Sequence, residues 1–268
     1  MTRTDARARA STGISCVSLV VPAFNEAGGI AQTLREVVGY FSAKPYDFEI
    51  IVAADGNDGT REIVRALAGD DPRIRVIGQV ERRGKGRGIR EGVALTRGDV
   101  VGFIDADNKS PISEFDKFER PLATGCEVVI GSRAMAESRI ERYQPWYRRL
   151  GSRLFGIGMH AIVGLHDIAD TQCGFKFFRR EAALDVFRRQ RIDGYMFDVE
   201  ILYLARRSAY RIVQVPVRWR DDGDSRLELV RGNLKNFEDI LRIGWMRLRT
   251  PLPAKDLDAL ERTVEGSD

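Results

Sequence analysis

The chain has 268 residues, 43% hydrophobic and 31% charged, which supplies apolar material for one large α/β domain or two small ones and excludes a disordered chain. The formal net charge is +4 with arginine outnumbering lysine; guanidinium groups suit phosphate oxygens, although such an excess also fits an ordinary soluble surface. Three widely spaced cysteines (Cys16, Cys126, Cys173) and two histidines exclude a disulfide framework, a zinc site and a His-rich metal centre, and fit a reducing, cytoplasmic setting.

Residues 1–14 carry basic side chains without an apolar core and read as a disordered tail, not a signal peptide. The apolar run 17–21 is a first buried strand, stopped by Pro22. Asn25 and Glu26 then stand where they cap and charge a helix over 27–41, whose Ile30, Leu34, Val37, Val38 and Phe41 share one face. A second strand over 48–53 ends in the polar turn from Asp55 to Thr60, which opens a helix with Ile63, Val64 and Leu67 inward. Residues 73–77 form a third strand. The basic glycine loop 81–88 (ERRGKGRG) leads into a helix over 89–96. This loop lacks the Walker spacing; its glycines and Lys85 read either as a phosphate cradle or as a solvated basic turn, and no interleaved aromatics favour nucleic acid.

The apolar strand 100–104 ends abruptly in Asp105-Ala106-Asp107. Two carboxylates one residue apart at the end of a buried strand repel, and an ion or another cation offsets the cost. On residue pattern alone the alternative is that the pair caps the next helix. The alternation of strands and helices up to this point fits a parallel sheet with right-handed crossovers. Beyond it come a strand over 127–130 leading into Gly131-Ser132-Arg133, an Arg-rich then apolar segment over 139–165 read as one or two helices, and the stretch 170–180 with a polar start and an apolar end. A helix over 194–206 carries Asp198 and Glu200, a strand covers 210–219, and 221–226 forms a polar loop. The last helix, 232–249, places Leu234, Phe237, Ile240, Leu241, Trp245 and Leu248 on one side with Lys235, Arg242, Arg247 and Arg249 on its flanks; it either packs on the domain or lies in a membrane interface. No apolar run approaches the roughly 20 residues that span a bilayer. Residues 251–268 read as a loose polar tail.

VSLVVPAFNE (17–26), DGT (58–60), GKG (84–86), DAD (105–107), GSR (131–133) and DTQCGFK (170–176) occur in the order found in family 2 glycosyltransferases of the GT-A fold, and the chain resembles that family over about residues 15–230. It is most similar to the dolichyl- and polyprenyl-phosphate sugar synthases; DTQCGFK, MFDVEILYL (196–204) and VPV (215–217) resemble the dolichyl-phosphate beta-glucosyltransferase branch. The resemblance implies a GT-A Rossmann-like sandwich: a mostly parallel sheet flanked by helices, with a catalytic domain over 15–230 and an amphipathic helix over 231–250. It also implies a nucleotide-sugar site at Pro22, Phe24, Glu26, Lys85, Asp105 and Ala106, with Asp107 as ligand for Mg²⁺ or Mn²⁺. Arg133 then faces the diphosphate and the acceptor phosphate, Asp170 and Gln172 lie at the sugar and acceptor pocket, and Arg226 is a phosphate clamp. Asp105, Asp107, Arg133 and Asp170 form the implied catalytic set. Two departures stand out. Where related chains read Asp-Asp-Gly-Ser this one has Ala53-Ala54-Asp55-Gly56, so Asp55 replaces the acidic pair from a shifted position. A glutamine ligand found in the mannose branch is replaced by Lys109, which leaves the ion to Asp107, diphosphate oxygens and water, or puts lysine charge in part of its place.

A leaving diphosphate needs neutralising, which a divalent ion on a carboxylate does. A lipid phosphate acceptor is largely ionised near neutral pH, its second pKa being about 6, so it needs a positive groove and no strong base. The expected reaction is transfer of a hexose from a UDP-glucose- or GDP-mannose-type donor to a polyprenyl or dolichyl phosphate, by in-line displacement with inversion, at the cytoplasmic face of a membrane. The first alternative is a soluble transferase acting on a saccharide hydroxyl, which needs a base, Asp170 or Asp198. A second is a nucleotide-sugar-binding protein without activity, for which the missing acids at Ala53-Ala54 are the hint. A nucleotidyltransferase ranks below these, because its glycine-rich loop follows the first strand and here the basic loop follows the third.

Overall fold

The computed structural model describes residues 13–140, 156, 158–220 and 231–249. Its first half alternates as the apolar periodicity requires: β1 (Cys16–Phe24), α1 (Ile30–Ser42), β2 (Asp47–Asp55), α2 (Thr60–Asp70), β3 (Ile74–Ile77), α3 (Lys85–Val93) and β4 (Val100–Ile104). A 3₁₀ turn (Ile112–Phe115), α4 (Asp116–Ala123), β5 (Val128–Ser132) and β6 (Arg139–Ile140) follow. After them come a helical stretch at 158–163, β7 (Phe175–Arg179), α5 (Arg180–Arg189), α6 (Phe197–Arg207), β8 (Ile212–Pro216), β9 (Arg218–Trp219) and α7 (Arg231–Arg249). A seven-stranded sheet has the order β3-β2-β1-β4-β7-β5-β8, with β6 and β9 forming a small second sheet. All neighbours in the large sheet are parallel except β7, which runs antiparallel to both β4 and β5. This is the mixed, mostly parallel α/β sandwich expected from the sequence.

Several boundaries moved for local reasons. β1 does not stop at Pro22: it stays paired with β2 as far as Phe24 opposite Asp55. Pairing with β4 ends at Val20, so a residue without an N–H is tolerated on that open side. Helix α1 starts at Ile30 rather than 27, after Gly28-Gly29, with Gly29 as N-cap and no side-chain cap. Asn25 instead adopts a left-handed φ of 55° and accepts the Asn57 N–H at 3.3 Å. α3 begins at Lys85, inside the glycine loop. The strand expected over 210–219 divides around Val217, next to Pro216, which cannot donate to a ladder. Residues 1–12, 221–230 and 250–268, and with them the expected tails and polar loop, lie outside the described residues, as does most of the Arg-rich segment.

The sheet carries a core on each face. One face holds Phe115, Phe118, Phe175 and Phe177 against the apolar sides of α1 and α4, with the Phe115 and Phe177 rings 4.5 Å apart. The other holds Phe103, Ile130 and Phe178 under α5 and α6, and α7 adds buried Ile240 and Ile243 to it. Gly102 faces Phe177 across the β4–β7 ladder, and a Cβ built there falls onto the Phe177 ring. Gly102→Ala is therefore expected to lower stability by about 1–3 kcal/mol, the usual cost of overpacking a close-packed core. The urea unfolding midpoint measures it; an unchanged midpoint means that Phe177 moves aside freely.

Candidate active site

The carboxyl ends of parallel strands form the usual ligand edge of an open α/β sheet. Pro22 and Phe24 lie at the end of β1, Asp55 at the end of β2, Asp105 to Asp107 beyond β4, and Arg133 beyond β5. Because β7 is antiparallel, its start lies at the same edge: Phe175 pairs with Ile104, which sets Gly174 opposite Asp105. The Asp105 N–H donates to the Gly174 carbonyl at 3.2 Å. A Cβ at Gly174 would overlap the Asp105 carboxylate, which explains the glycine in DTQCGFK.

Asp105, Asp107 and Asp170 each face a basic side chain. Lys85, the first residue of α3, places Nζ 2.6 Å from Asp105. Lys109 Nζ lies 3.4 Å from Asp107, and its backbone N–H donates to the same carboxylate. Asn108 makes this turn with a left-handed φ of 50°, a conformation asparagine tolerates. Arg133 grips Asp170 with both arms of its guanidinium, at 2.7 and 2.9 Å, and donates its backbone N–H as well. The guanidinium lies over the Trp219 ring at 5.4 Å. Asp105, Lys109, Ser110, Arg133, Cys173, Gly174 and Trp219 together line a small pocket of about 20 Å³.

These partners set the protonation states. Burial alone would raise the Asp170 carboxyl, but the charge and hydrogen bonds of Arg133 outweigh it and hold Asp170 below the ordinary carboxylate range. Burial would lower the Lys85 ammonium, but Asp105 and Asp198 outweigh it and keep Lys85 above the ordinary lysine range. Burial and the neighbouring Asp105 raise Asp107, against the opposing effect of Lys109. Burial pushes the Cys173 thiol up to about 12, so it lines the pocket as a neutral thiol and not as a nucleophile.

The remaining sequence candidates take more varied positions. Glu26 donates its N–H to the Thr60 hydroxyl, and Ala27 donates its N–H to Asp58, so the loop after β1 is laced to the DGT turn. Both Asp55 oxygens accept backbone N–H groups, of Gln79 at 3.2 Å and Arg83 at 2.8 Å, and so hold the strand leading into the glycine loop. Ala106 is buried and its carbonyl accepts from Thr33. Gln172 is exposed. The glycine loop is built for packing as much as for phosphate: Gly84 and Gly86 fit closely against 192–197, and the N–H groups of Gly86 and Arg87 already donate to the Asp193 carbonyl. Asp198 is neither a surface residue nor an available base. It is 3% exposed and ion-paired with Lys176, itself 0% exposed. Arg226 lies outside the described residues.

Sequence reasoning missed three contributors. Arg82 stacks on Phe24 at 4.3 Å and donates to the Tyr195 hydroxyl at 2.9 Å, bridging the β1 end to the 190s loop. Lys176 was visible only as a cation inside the apolar run FKFF. Trp219 offered no signal beyond its place at the end of a strand.

A divalent ion fits this edge in a limited way. Asp107 offers a partly exposed hard oxygen donor, but among the described residues no group of three His, Cys, Asp or Glu side chains forms a cage. Residues 18–187 match the glycosyl transferase family 2 domain. The chain belongs to glycosyl transferase family 2. It is 35% identical to a dolichyl-phosphate beta-glucosyltransferase of Trichomonas vaginalis over 85% of this chain and 70% of that one. It is 31% identical to the human dolichyl-phosphate beta-glucosyltransferase over 87% and 75%. Its fold is that of glucosyl-3-phosphoglycerate synthase from Mycobacterium tuberculosis, solved with Mn²⁺, UDP-glucose and phosphoglyceric acid, with a TM-score of 0.68 at 20% identity over 95% of this chain and 86% of that one. The family 2 chain is thus a glycosyltransferase.

The Arg133–Asp170 pair gives this family 2 enzyme a measurable acid response. The folded Asp170 value lies below the unfolded one, near 3.9. Its contribution is therefore complete above that value and is lost as pH falls through the lower folded value. Asp170→Asn is expected to cost about 2–3 kcal/mol at pH 7, less than a fully buried pair because Arg133 is partly exposed. The gap from wild type should narrow as unfolding is repeated toward pH 2; a gap constant with pH would show that the carboxylate charge contributes nothing.

Proposed function

We propose that this transferase moves glucose from UDP-glucose onto a dolichyl or polyprenyl phosphate at a membrane surface, with inversion. The observation that carries the reading is the engagement of both carboxylates able to serve as a base. Asp170 accepts three hydrogen bonds from Arg133 and another from the Gln172 N–H, and Asp198 is buried against Lys176. A hydroxyl acceptor needs a base. A phosphate monoester, with a second pKa of about 6, brings its own nucleophilic oxygen and needs only cations to hold it beside a second anion. Arg133 and Lys109 line one pocket with Asp105 and supply those cations. The dolichyl-phosphate names of the relatives support the same acceptor.

In this mechanism Phe24 and Asp55 flank the nucleoside, with Pro22, Glu26 and Ala106 shaping the adjacent wall. Asp105, positioned by Lys85 and the Gly174 carbonyl, orients the sugar-nucleotide. Asp107 would hold Mg²⁺ or Mn²⁺, and the bound ion would supply Lewis-acid stabilisation of the leaving diphosphate. Arg133, fixed by Asp170, seats the acceptor phosphate with Gln172 at the pocket rim, and Arg226 clamps the donor from the loop beyond β9. Lys109, 3.4 Å from Asp107, would share that carboxylate with the ion.

Helix α7 supports delivery from a membrane. Ile240 and Ile243 are packed inward, while Leu234, Phe237, Leu241, Trp245 and Leu248 are exposed at steps of three and four residues. Exposed Lys235, Arg242 and Arg249 border this stripe and complement anionic headgroups. An apolar groove of about 950 Å³ between α7 and residues 161–164 shares no residue with the small pocket. Among the described residues no helix is long and apolar enough to cross a membrane.

The direct test supplies labelled UDP-glucose, Mn²⁺ and dolichyl phosphate in detergent. The expected product is a β-glucosyl lipid phosphate, lost with chelator and reduced about 10²-fold or more by Asp107→Ala. Transfer only to a water-soluble phosphate monoester would sink the lipid acceptor, and an α-linked product would sink inversion. In flotation with anionic vesicles the intact protein should rise with the lipid and Trp245→Glu should not; equal flotation of both would remove α7 from the membrane contact.

A further inference from the structure

Lys176 sits mid-way along β7, between Phe103 of β4 and Ile130 of β5, near the centre of the sheet. Its ammonium is 2.5 Å from Asp198 of α6 and donates to the Cys173 carbonyl at 2.6 Å. Neither side chain meets solvent to any extent, at 0% and 4% exposure. Burying both ions costs solvation that their attraction only partly returns, and an apolar pair of similar volume is commonly as stable or more so. Stability therefore does not explain the pair, and its contacts do. Through the Cys173 carbonyl, Lys176 fixes the turn that carries both Gly174, the acceptor for the Asp105 N–H, and Asp170, the anchor of Arg133. On its other side the ring of Phe197, the residue before Asp198 on α6, lies 5.8 Å from the Lys85 ammonium, which is the partner of Asp105. The pair thus lies beneath both halves of the site: the donor side at Lys85 and Asp105, and the phosphate side at Arg133.

We propose that Lys176 and Asp198 are positioning residues for the transfer, holding the 170–174 turn and the Lys85–Asp105 contact in register from below. Neither touches substrate. The inference rests on the family's transfer chemistry and not on which sugar or acceptor is used.

The test separates positioning from stability by removing both charges together. In Lys176→Met/Asp198→Leu no buried ion is left unpaired, so the melting temperature should stay within a few degrees of wild type. Backbone hydrogen exchange over 103–109 and 170–176 should nonetheless rise about 10-fold, because the Cys173 carbonyl has lost its donor. With UDP-glucose and dolichyl phosphate, kcat should fall about 10²-fold while KM for the donor changes less than about threefold, the mark of misplacement rather than lost binding. A folded double variant with wild-type exchange and wild-type kcat would overturn the proposal. Should the double variant not fold, Asp198→Asn decides, since the amide still accepts from Lys176 while the carboxylate charge near Lys85 is gone. The buried ammonium left without a counter-charge lowers the melting temperature, so kcat is read well below it, where a fall of about 10-fold with the donor KM changed less than about threefold supports the proposal and an unchanged kcat overturns it. Wild-type protein inert toward UDP-glucose would sink the donor assignment alone, and the exchange measurement would still decide the role of the pair.

Discussion

Asp105 and Asp107 emerge from the same buried strand end, where two like charges repel by about 4 kcal/mol at 4 Å and an effective dielectric of 20. The surrounding structure relieves that repulsion. Lys85 meets one carboxylate and Lys109 the other. Lys85 reaches Asp105 because α3 begins within the glycine loop, and the loop lies flat because Gly84 and Gly86 let the backbone pack against Asp193. The same logic continues outward through Arg133 with Asp170 and inward through Lys176 with Asp198. These acids and bases are matched in pairs without any ligand.

Much of this was legible in the residues. The apolar runs located β2 to β5 to within a few positions, and the abrupt DAD marked a strand end whose two carboxylates are each met by a lysine. What the sequence concealed were relations across the sheet. Nothing in DTQCGFK states that its strand runs backwards between β4 and β5, yet that reversal sets Gly174 opposite Asp105. Helix α5 went unrecognised because its apolar residues are interleaved with the charges of REAALDVFRR. Asp198 looked free because a helix segment as apolar as FDVEILYL gives no hint that its acid meets a lysine from a strand. Buried ion pairs are formed by topology, and a single chain's spacing does not encode them.

Helix α7 illustrates a second limit of pattern reading. Its apolar residues form one broad side on a helical wheel, but the fold divides them: Ile240 and Ile243 complete the second core, and the Leu234-to-Leu248 stripe faces outward. The helix packs on the domain, one of its two expected placements, with only part of its apolar arc, because a helix resting on a flat layer cannot bury a wide arc whole.

The reversed strand also orders the molecule's assembly in time. β1 to β4 pair only among themselves and with β7, but β5 pairs with β7 and β8 alone, and both leave the ribosome after it. Until residues 175–179 are synthesised, β5, every residue of which is buried in the finished fold, has both edges open. A nascent chain truncated between β5 and β7 therefore presents an unpaired edge, and the sheet closes only when β7 enters between β4 and β5. The strand that sets Gly174 opposite Asp105 is thus also the one that joins the two halves of the sheet.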